Sequence, residues 1–163
     1  ISTIHDRSLY DYPQYNGAYD RSLAAIESYL AKYPGIRFVL DVHRDAITDG
    51  DGTVYKVISE TDRGPSAQLS LIVGTNGSGL SHDHWRENLK LAAAVQDTIL
   101  QDYPTLMRPI TVRNSRYNQH CTTGSLLVEV GAAGNSLDEA LLAAQLFAEG
   151  FAETVTDTGS ETN

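Results

Sequence analysis

The feature that most constrains this chain is the alternation of amphipathic helical segments with short apolar segments. Apolar residues three and four positions apart predict helices over residues 20–33, 84–102 and 137–155. Runs rich in aliphatic and β-branched residues predict strands over residues 36–42, 54–59, 67–73, 110–112 and 126–130. Several connections are long enough for parallel pairing. The pattern therefore predicts an α/β fold, a three-layer sandwich with a mostly parallel central sheet.

The length of 163 residues fits one domain, predicted over residues 1–155, with a polar tail over residues 156–163. Ser136 and Glu139 have the spacing of a capping box and predict where the last helix begins. The first four residues alternate like a strand already in progress, without an initiator methionine. We therefore expect the sequence to be a piece of a longer protein.

The charge balance excludes one class of partner. With 21 acidic and 12 basic residues, the formal net charge is −9. A chain this anionic, with no basic stripe, repels phosphate backbones, so nucleic acid is not an expected partner. The apolar runs fall far short of the roughly 20 residues that cross a bilayer, and the single cysteine excludes an internal disulfide framework.

Two ionisable residues lie where the predicted strands would bury them. His43 directly follows the strand at residues 36–42, and Glu129 lies inside the apolar stretch 126–131. A buried carboxylate is costly unless a cation or a set of donors offsets its desolvation. Glu129 could instead lie on an edge strand or pair with Arg44 or Arg113, and His43 could be a core histidine. The functional interpretation is that both side chains face a ligand at the carboxyl ends of parallel strands.

Other candidates carry a weaker signal. His82 and His84 do not share a helix face, and a capping or rim role is expected for them. His120 and Cys121 are adjacent, whereas catalytic pairs need spatial neighbours. No Gly-x-Ser-x-Gly elbow or nucleotide-binding fingerprint occurs. The tyrosine-rich residues 10–19 and the stretch 116–119 offer flat apolar rings with polar tips that could line a ligand groove, although such tyrosines also pack loops against sheets.

Several ordered blocks resemble the stage II sporulation protein P family, and the resemblance covers nearly the whole chain apart from the tail. The blocks are residues 5–19, Asp41-Val42-His43-Arg44-Asp45, residues 68–76, Trp85-Arg86-Glu87-Asn88-Leu89, Tyr103-Pro104, Arg108-Pro109-Ile110, Arg116-Tyr117-Asn118-Gln119 and residues 127–135.

That family is similar to the zinc-dependent N-acetylmuramoyl-L-alanine amidases, which have an amidase-like three-layer α/β fold. The resemblance implies a peptidoglycan hydrolase with Zn²⁺ as cofactor, and leaves open whether stem-peptide cross-links are also cut. His43 would correspond to a zinc-binding histidine and Glu129 to the catalytic glutamate. Arg44 would assist at the substrate carbonyl, and Tyr117 and Asn118 would contribute to substrate binding.

The resemblance also implies a cellular setting. We expect action during sporulation engulfment at the outer face of the cell membrane, at the sporulation septum. Peptidoglycan is the expected partner, with stage II sporulation proteins D and M as further partners. A membrane anchor is expected only in an N-terminal part upstream of this sequence.

The sequence departs from the family pattern in two places. The His-Thr-His segment that supplies the other zinc ligands does not occur, so the first strand and helix of the fold are expected to be lacking here. His82-Asp83-His84-Trp85 stands where the family often has His-Pro-Asn-Trp. We therefore expect these residues by themselves to bind metal weakly and to be inactive. A non-catalytic wall-binding or scaffold module and a zinc carboxypeptidase-like peptidase remain alternatives.

Overall fold

A computed structural model of the protein describes residues 1–157 and shows a mixed α/β fold. The three helices are α1 (Ala18–Lys32), α2 (Trp85–Asp102) and α3 (Leu137–Asp157). The strands are β1 (Phe38–Asp45), β2 (Ile58–Thr61), β3 (Gly64–Ala67), β4 (Leu69–Gly74), β5 (Thr111–Arg113) and β6 (Gly124–Ala132). A single 3-10 turn, Gln119–Cys121, precedes β6.

Four strands form the main sheet in the order β1-β6-β4-β5, and β2 and β3 form a separate antiparallel hairpin. The pairs β1–β6 and β4–β5 are parallel, and β4 runs antiparallel to β6. The prediction of a mostly parallel sheet is therefore confirmed. The pair β1–β6 runs in the opposite direction to the pair β4–β5. The carboxyl ends of the two pairs therefore lie at opposite ends of the strands.

The two faces of the sheet have different surroundings. On the covered face, side chains that alternate along β4 and β6 pack beneath α2 and α3. These side chains are Leu69, Leu71, Val73, Leu126, Val128 and Val130. The intervening residues Ser70, Ile72, Leu127 and Glu129 line a cleft on the other face, called here the cleft face. Helix α1 buries no residue fully.

Three strand predictions differ from the structure in ways that matter for the site. The first strand begins later than predicted and continues to Asp45, so His43 lies within β1 and not after it. The predicted strand 67–73 is split at Gln68 into β3 and β4. Most of the predicted strand 54–59 is irregular, and Val54 makes only an isolated bridge to Thr48.

The start of α3 is as the capping box predicts. The backbone N–H of Glu139 donates to Ser136 Oγ at 3.2 Å, and the N–H of Ser136 donates to Glu139 Oε2 at 2.9 Å. Helix α3 continues through Asp157, two residues into the predicted tail. The rest of that tail, residues 158–163, lies outside the described residues.

Among residues 1–157, none of the helices combines the length and apolar character needed to span a membrane.

Candidate functional site

The two residues singled out in the sequence are direct neighbours in the sheet. His43 on β1 pairs in register with Glu129 on β6, and the two strands are parallel. Paired residues of parallel strands point to the same face of a sheet. Both side chains line one cleft of about 730 Å³ on the cleft face. The imidazole and the carboxylate therefore occupy the same site.

An irregularity in β6 directly follows Glu129. His43 pairs with Glu129 but Asp45 pairs with Ala132, so β6 carries an extra residue between these pairs. Gly131 lies within this bulge with φ +73, a conformation that side-chain-bearing residues rarely adopt. A Cβ there would also approach Ala67 Cβ to 2.7 Å. Bulges are common next to functional sites, and His43 and Asp45, which pair with β6 on either side of this one, both line the cleft.

Glu129 is half-buried on an internal strand. Because β6 lies between β1 and β4, the edge-strand alternative for Glu129 is wrong. Its Oε2 atom is buried and has no hydrogen-bond partner among the described residues. Burial raises the pKa of the Glu129 carboxyl, and the negative charges of Asp45 and Asp41 raise it further. The charge of His43 has the opposite effect and lowers it. A half-buried carboxylate with a raised pKa is a stronger proton acceptor than an ordinary glutamate.

His43 is exposed to the cleft and oriented by a carboxylate. Its Nε2 lies 2.8 Å from Asp41 Oδ1, and 41% of its side chain is accessible. The core-histidine alternative is therefore wrong. The hydrogen bond to Asp41 raises the pKa of His43, while partial burial opposes that shift. Asp41 and His43 lie two residues apart on β1, so both project to the cleft side.

The cation beside this pair is Arg108, which was not among the predicted site residues. Its Nη1 donates to Asp45 Oδ2 at 2.9 Å, and its charge lowers the pKa of Glu129. Backbone hydrogen bonds on either side of Met107 tie this segment to Leu69 at the start of β4. No motif links position 108 to position 45, because this contact spans 63 residues. Neither Arg44 nor Arg113 pairs with Glu129 among residues 1–157.

A wall of aromatic rings closes one side of the cleft. Tyr19 and Tyr117 meet edge to face, with centroids 5.8 Å apart, and both line the cleft. Tyr117 and Asn118 have φ values of +50 and +57. Asn118 holds this strained turn in place, since its Nδ2 donates to Tyr19 O at 2.7 Å and to Ser22 Oγ at 3.0 Å. Asn118 is 9% exposed and fixes α1 against the turn that carries Tyr117.

Arg44 lies apart from this arrangement. It follows His43 on β1 and is exposed. Alternation along a strand directs its side chain away from the cleft face, and it is absent from the residues that line the cleft.

The described residues do not by themselves make up a zinc site. Among residues 1–157, no group of three or more His, Cys, Asp or Glu side chains is placed to hold a metal ion. His43 is the imidazole that lines the cleft, with the carboxylates of Asp45 and Glu129. A catalytic zinc takes three protein ligands, so further ligands would have to come from residues other than these.

His82 and His120 form a second cluster beside the start of α2. His82 is 1% exposed, so the rim position expected for it is wrong. The ring centroids of His82 and His120 lie 6.4 Å apart, in an edge-to-face arrangement. Both ring nitrogens of His82 lack hydrogen-bond partners among the described residues. Burial lowers the pKa of both histidines. This cluster is separate from the cleft that holds His43.

The fold and the cleft together define a mixed α/β domain with a polar site of ligand-binding size on one face of its sheet. Comparison with known proteins identifies which such domain this is. The chain belongs to the stage II sporulation protein P family, whose model matches residues 1–152.

One curated relative is stage II sporulation protein P of Bacillus subtilis (strain 168). It is 29% identical over 149 residues, which cover 88% of this chain and 34% of the relative. The chain therefore spans about a third of that relative's length. No solved structure matched this chain.

Proposed function

We propose that this chain is part of a peptidoglycan hydrolase that cleaves the N-acetylmuramoyl–L-alanine amide bond during sporulation. The observation that carries the proposal is the in-register placement of His43 and Glu129 in one cleft. A carboxylate and an imidazole at this spacing are the residue types that amide hydrolysis needs. Membership of a sporulation protein family supplies the biological setting.

Glu129 is the proposed general base. Its carboxylate takes a proton from a water molecule as the water oxygen attacks the amide carbon. The carboxylic acid so formed then donates that proton to the departing L-alanine nitrogen as the C–N bond breaks. The products are a free muramic carboxylate and a stem peptide with a free amino terminus. The raised pKa of Glu129, which follows from its partial burial, makes its carboxylate a stronger proton acceptor than an ordinary glutamate.

Zinc is the proposed cofactor, with His43 as one ligand and the others supplied by residues outside those described. A zinc ion bound there would polarise the amide carbonyl and lower the pKa of a coordinated water. Asp41, bonded to His43 Nε2 at 2.8 Å, would orient the imidazole.

The substrate would lie along the aromatic wall. Tyr19 and Tyr117 present flat rings with polar tips, which suit a sugar-peptide ligand. Tyr117 is the proposed contact residue, and Asn118 acts by holding the turn that carries it. We place the activity at the outer face of the membrane at the septum, with stage II sporulation proteins D and M as candidate partners. The three-layer, amidase-like arrangement of the complete domain is part of the same proposal.

Product analysis tests the chemistry. Purified peptidoglycan is incubated with the full-length protein, and the soluble fragments are identified by mass spectrometry. Free stem peptides that begin with L-alanine are expected. Shortened stem peptides with intact muramoyl linkages would instead indicate a carboxypeptidase-like peptidase.

A second candidate is a non-catalytic wall-binding module. It is favoured by the observation that the residues described here do not hold a three-ligand metal set. Zinc analysis of the full-length protein separates the two functions. A hydrolase is expected to hold zinc stoichiometrically, whereas a binding module would retain peptidoglycan without zinc and release nothing.

A further inference from the structure

The cleft carries opposite charges at its two ends. The acidic side chains Asp45 and Glu129 lie at the end formed by β1 and β6, together with His43 and Arg108, and Arg113 lines the far end, on β5. An arginine on a cleft wall stands out in a chain with a net charge of −9, which as a whole repels anions. The far end of the cleft is therefore the part suited to an anionic group.

Among the described residues, two arginines line the cleft, one paired with a carboxylate and the other unpaired. Arg108 donates to Asp45 at 2.9 Å, so its charge is matched within the protein. Among residues 1–157, the guanidinium of Arg113 has no hydrogen bond or ion pair with another side chain or carbonyl. Arg113 is exposed at the end of β5. An unpaired arginine on a cleft wall is available to bind a carboxylate through two parallel hydrogen bonds, that is, in a bidentate manner.

The sheet register fixes how far Arg113 lies from Glu129. Glu129 is opposite Ser70 on β4, and Arg113 is opposite Gly74 on the same strand. Four residues along a strand span about 13 Å, and the two strand spacings from β6 to β5 add about 10 Å sideways. The two Cα atoms are therefore about 16 Å apart. An extended peptide covers that distance in about five residues. The long arginine side chain can span part of it, so fewer peptide residues are needed.

The part of this distance that the arginine side chain does not cover is comparable with the first two or three residues of the stem peptide of the proposed substrate. The stem begins at the scissile bond with L-alanine, continues with a D-glutamate linked through its γ-carboxyl, and then with a diamino acid. The second residue keeps a free α-carboxylate, and the third residue carries another when it is diaminopimelate. Both carboxylates lie on the leaving-group side of the bond that is cut.

We propose that Arg113 is a specificity-determining residue that binds a free carboxylate of the stem peptide, at the second or third position. This inference rests on the proposed function for its choice of ligand. It assigns the substrate direction as well, with the glycan near β1 and the stem peptide crossing β4 towards β5. Amidation of the recognised carboxylate removes its charge and weakens binding.

Binding measurements on the full-length protein test this proposal. The protein carries Glu129→Gln so that the ligand stays intact. The probes are muramoyl tetrapeptides with an amidated carboxyl terminus, prepared with both internal carboxylates free, with the second amidated, or with the third amidated. We expect about a 10- to 100-fold higher Kd for one of the two amidated probes. Which probe loses affinity identifies the carboxylate.

Variants then assign the preference to Arg113. Adding Arg113→Gln should reduce the preference to about twofold or less, and Arg113→Lys should retain part of it. Arg37→Gln removes the same charge from an exposed residue outside the cleft and should leave the preference unchanged. A preference that persists in Arg113→Gln would overturn the proposal, as would equal affinity for all three probes or no binding of any probe.

The wild-type protein, assayed separately for hydrolysis, distinguishes this inference from the proposed function. No hydrolysis together with an Arg113-dependent preference would support carboxylate recognition and reject the amidase. Hydrolysis without that preference would do the opposite.

Discussion

The covered face and the cleft face of the sheet use the same strands for different purposes. On the covered face, Leu71 and Val128 are fully buried and touch the helices. One residue away on the same strands, Ser70 and Glu129 line the cleft. The alternation of a strand therefore places a dry core and a polar site back to back. We infer that stability is concentrated on the covered face and chemistry on the cleft face.

The largest stability effect is expected from a pair of neighbouring substitutions that separates the two faces. Leu71→Ala removes a side chain that is 0% exposed and leaves a cavity beneath α2, with an expected loss of about 2–5 kcal/mol in the free energy of unfolding. Ser70→Ala removes only a hydroxyl on the cleft side and should cost less than about 1 kcal/mol. Urea denaturation measures both. Equal losses would break the comparison between the faces.

A pH-dependent loss in the free energy of unfolding is expected from His82 and His120 beside α2. Burial lowers the pKa of His82 and His120 below the ordinary 6.5, and each is lowered further by the charge of Arg116. The unfolded chain therefore takes up protons first as the pH falls. The stability from these groups is complete above about pH 6.5 and is lost as the pH falls through their folded-state pKa values, by at most about 1.4 kcal/mol per pH unit for each proton.

Unfolding at pH 7.5 and pH 5.5 measures this loss. His82→Phe keeps a flat ring but removes one titrating group, so it should lose less stability between the two values than the wild type does. His5→Gln, at an exposed position, is the control and should follow the wild type. An unchanged pH dependence in His82→Phe would show that the buried ring does not titrate on unfolding.

The smallest effect concerns the cap that anchors α3 on the covered face. Ser136→Ala removes the acceptor for the Glu139 N–H and should lower the free energy of unfolding by about 1 kcal/mol. Ser28→Ala, at an exposed position within α1, makes the same chemical change without a cap and should cause no loss. If both variants unfold alike, the capping box contributes nothing to stability.

Local patterns in the sequence predicted most of the fold. Periodicity gave the three helices, and the spacing of Ser136 and Glu139 gave the start of α3. The reversal of β4 was not predicted, because strand direction depends on long-range pairing that no local pattern records. The break at Gln68, whose N–H donates to Val57 O, likewise depends on a residue outside the strand.

Only part of the site was predicted, because its assembly also depends on long-range strand pairing. His43 and Glu129 stand out because an ionisable residue interrupts an apolar run. Arg108 carries no such signal. Arg113 directly follows the predicted strand 110–112, but only the register of β4 and β5 brings it to the cleft. Asn118 was singled out for binding, and the structure places its amide against the backbone of Tyr19. Local sequence shows which residues are unusual, whereas pairing across the sheet decides which of them meet.

The rate of muropeptide release by the Glu129→Gln variant of the full-length protein tests the central claim most directly. The amide keeps the size of the side chain but cannot accept the proton, so release should fall by about 10²–10⁴-fold while the fold is retained. Glu60→Gln, an exposed position on β2, should release fragments at the wild-type rate. Wild-type release by Glu129→Gln would contradict the assignment of this cleft as the hydrolytic site.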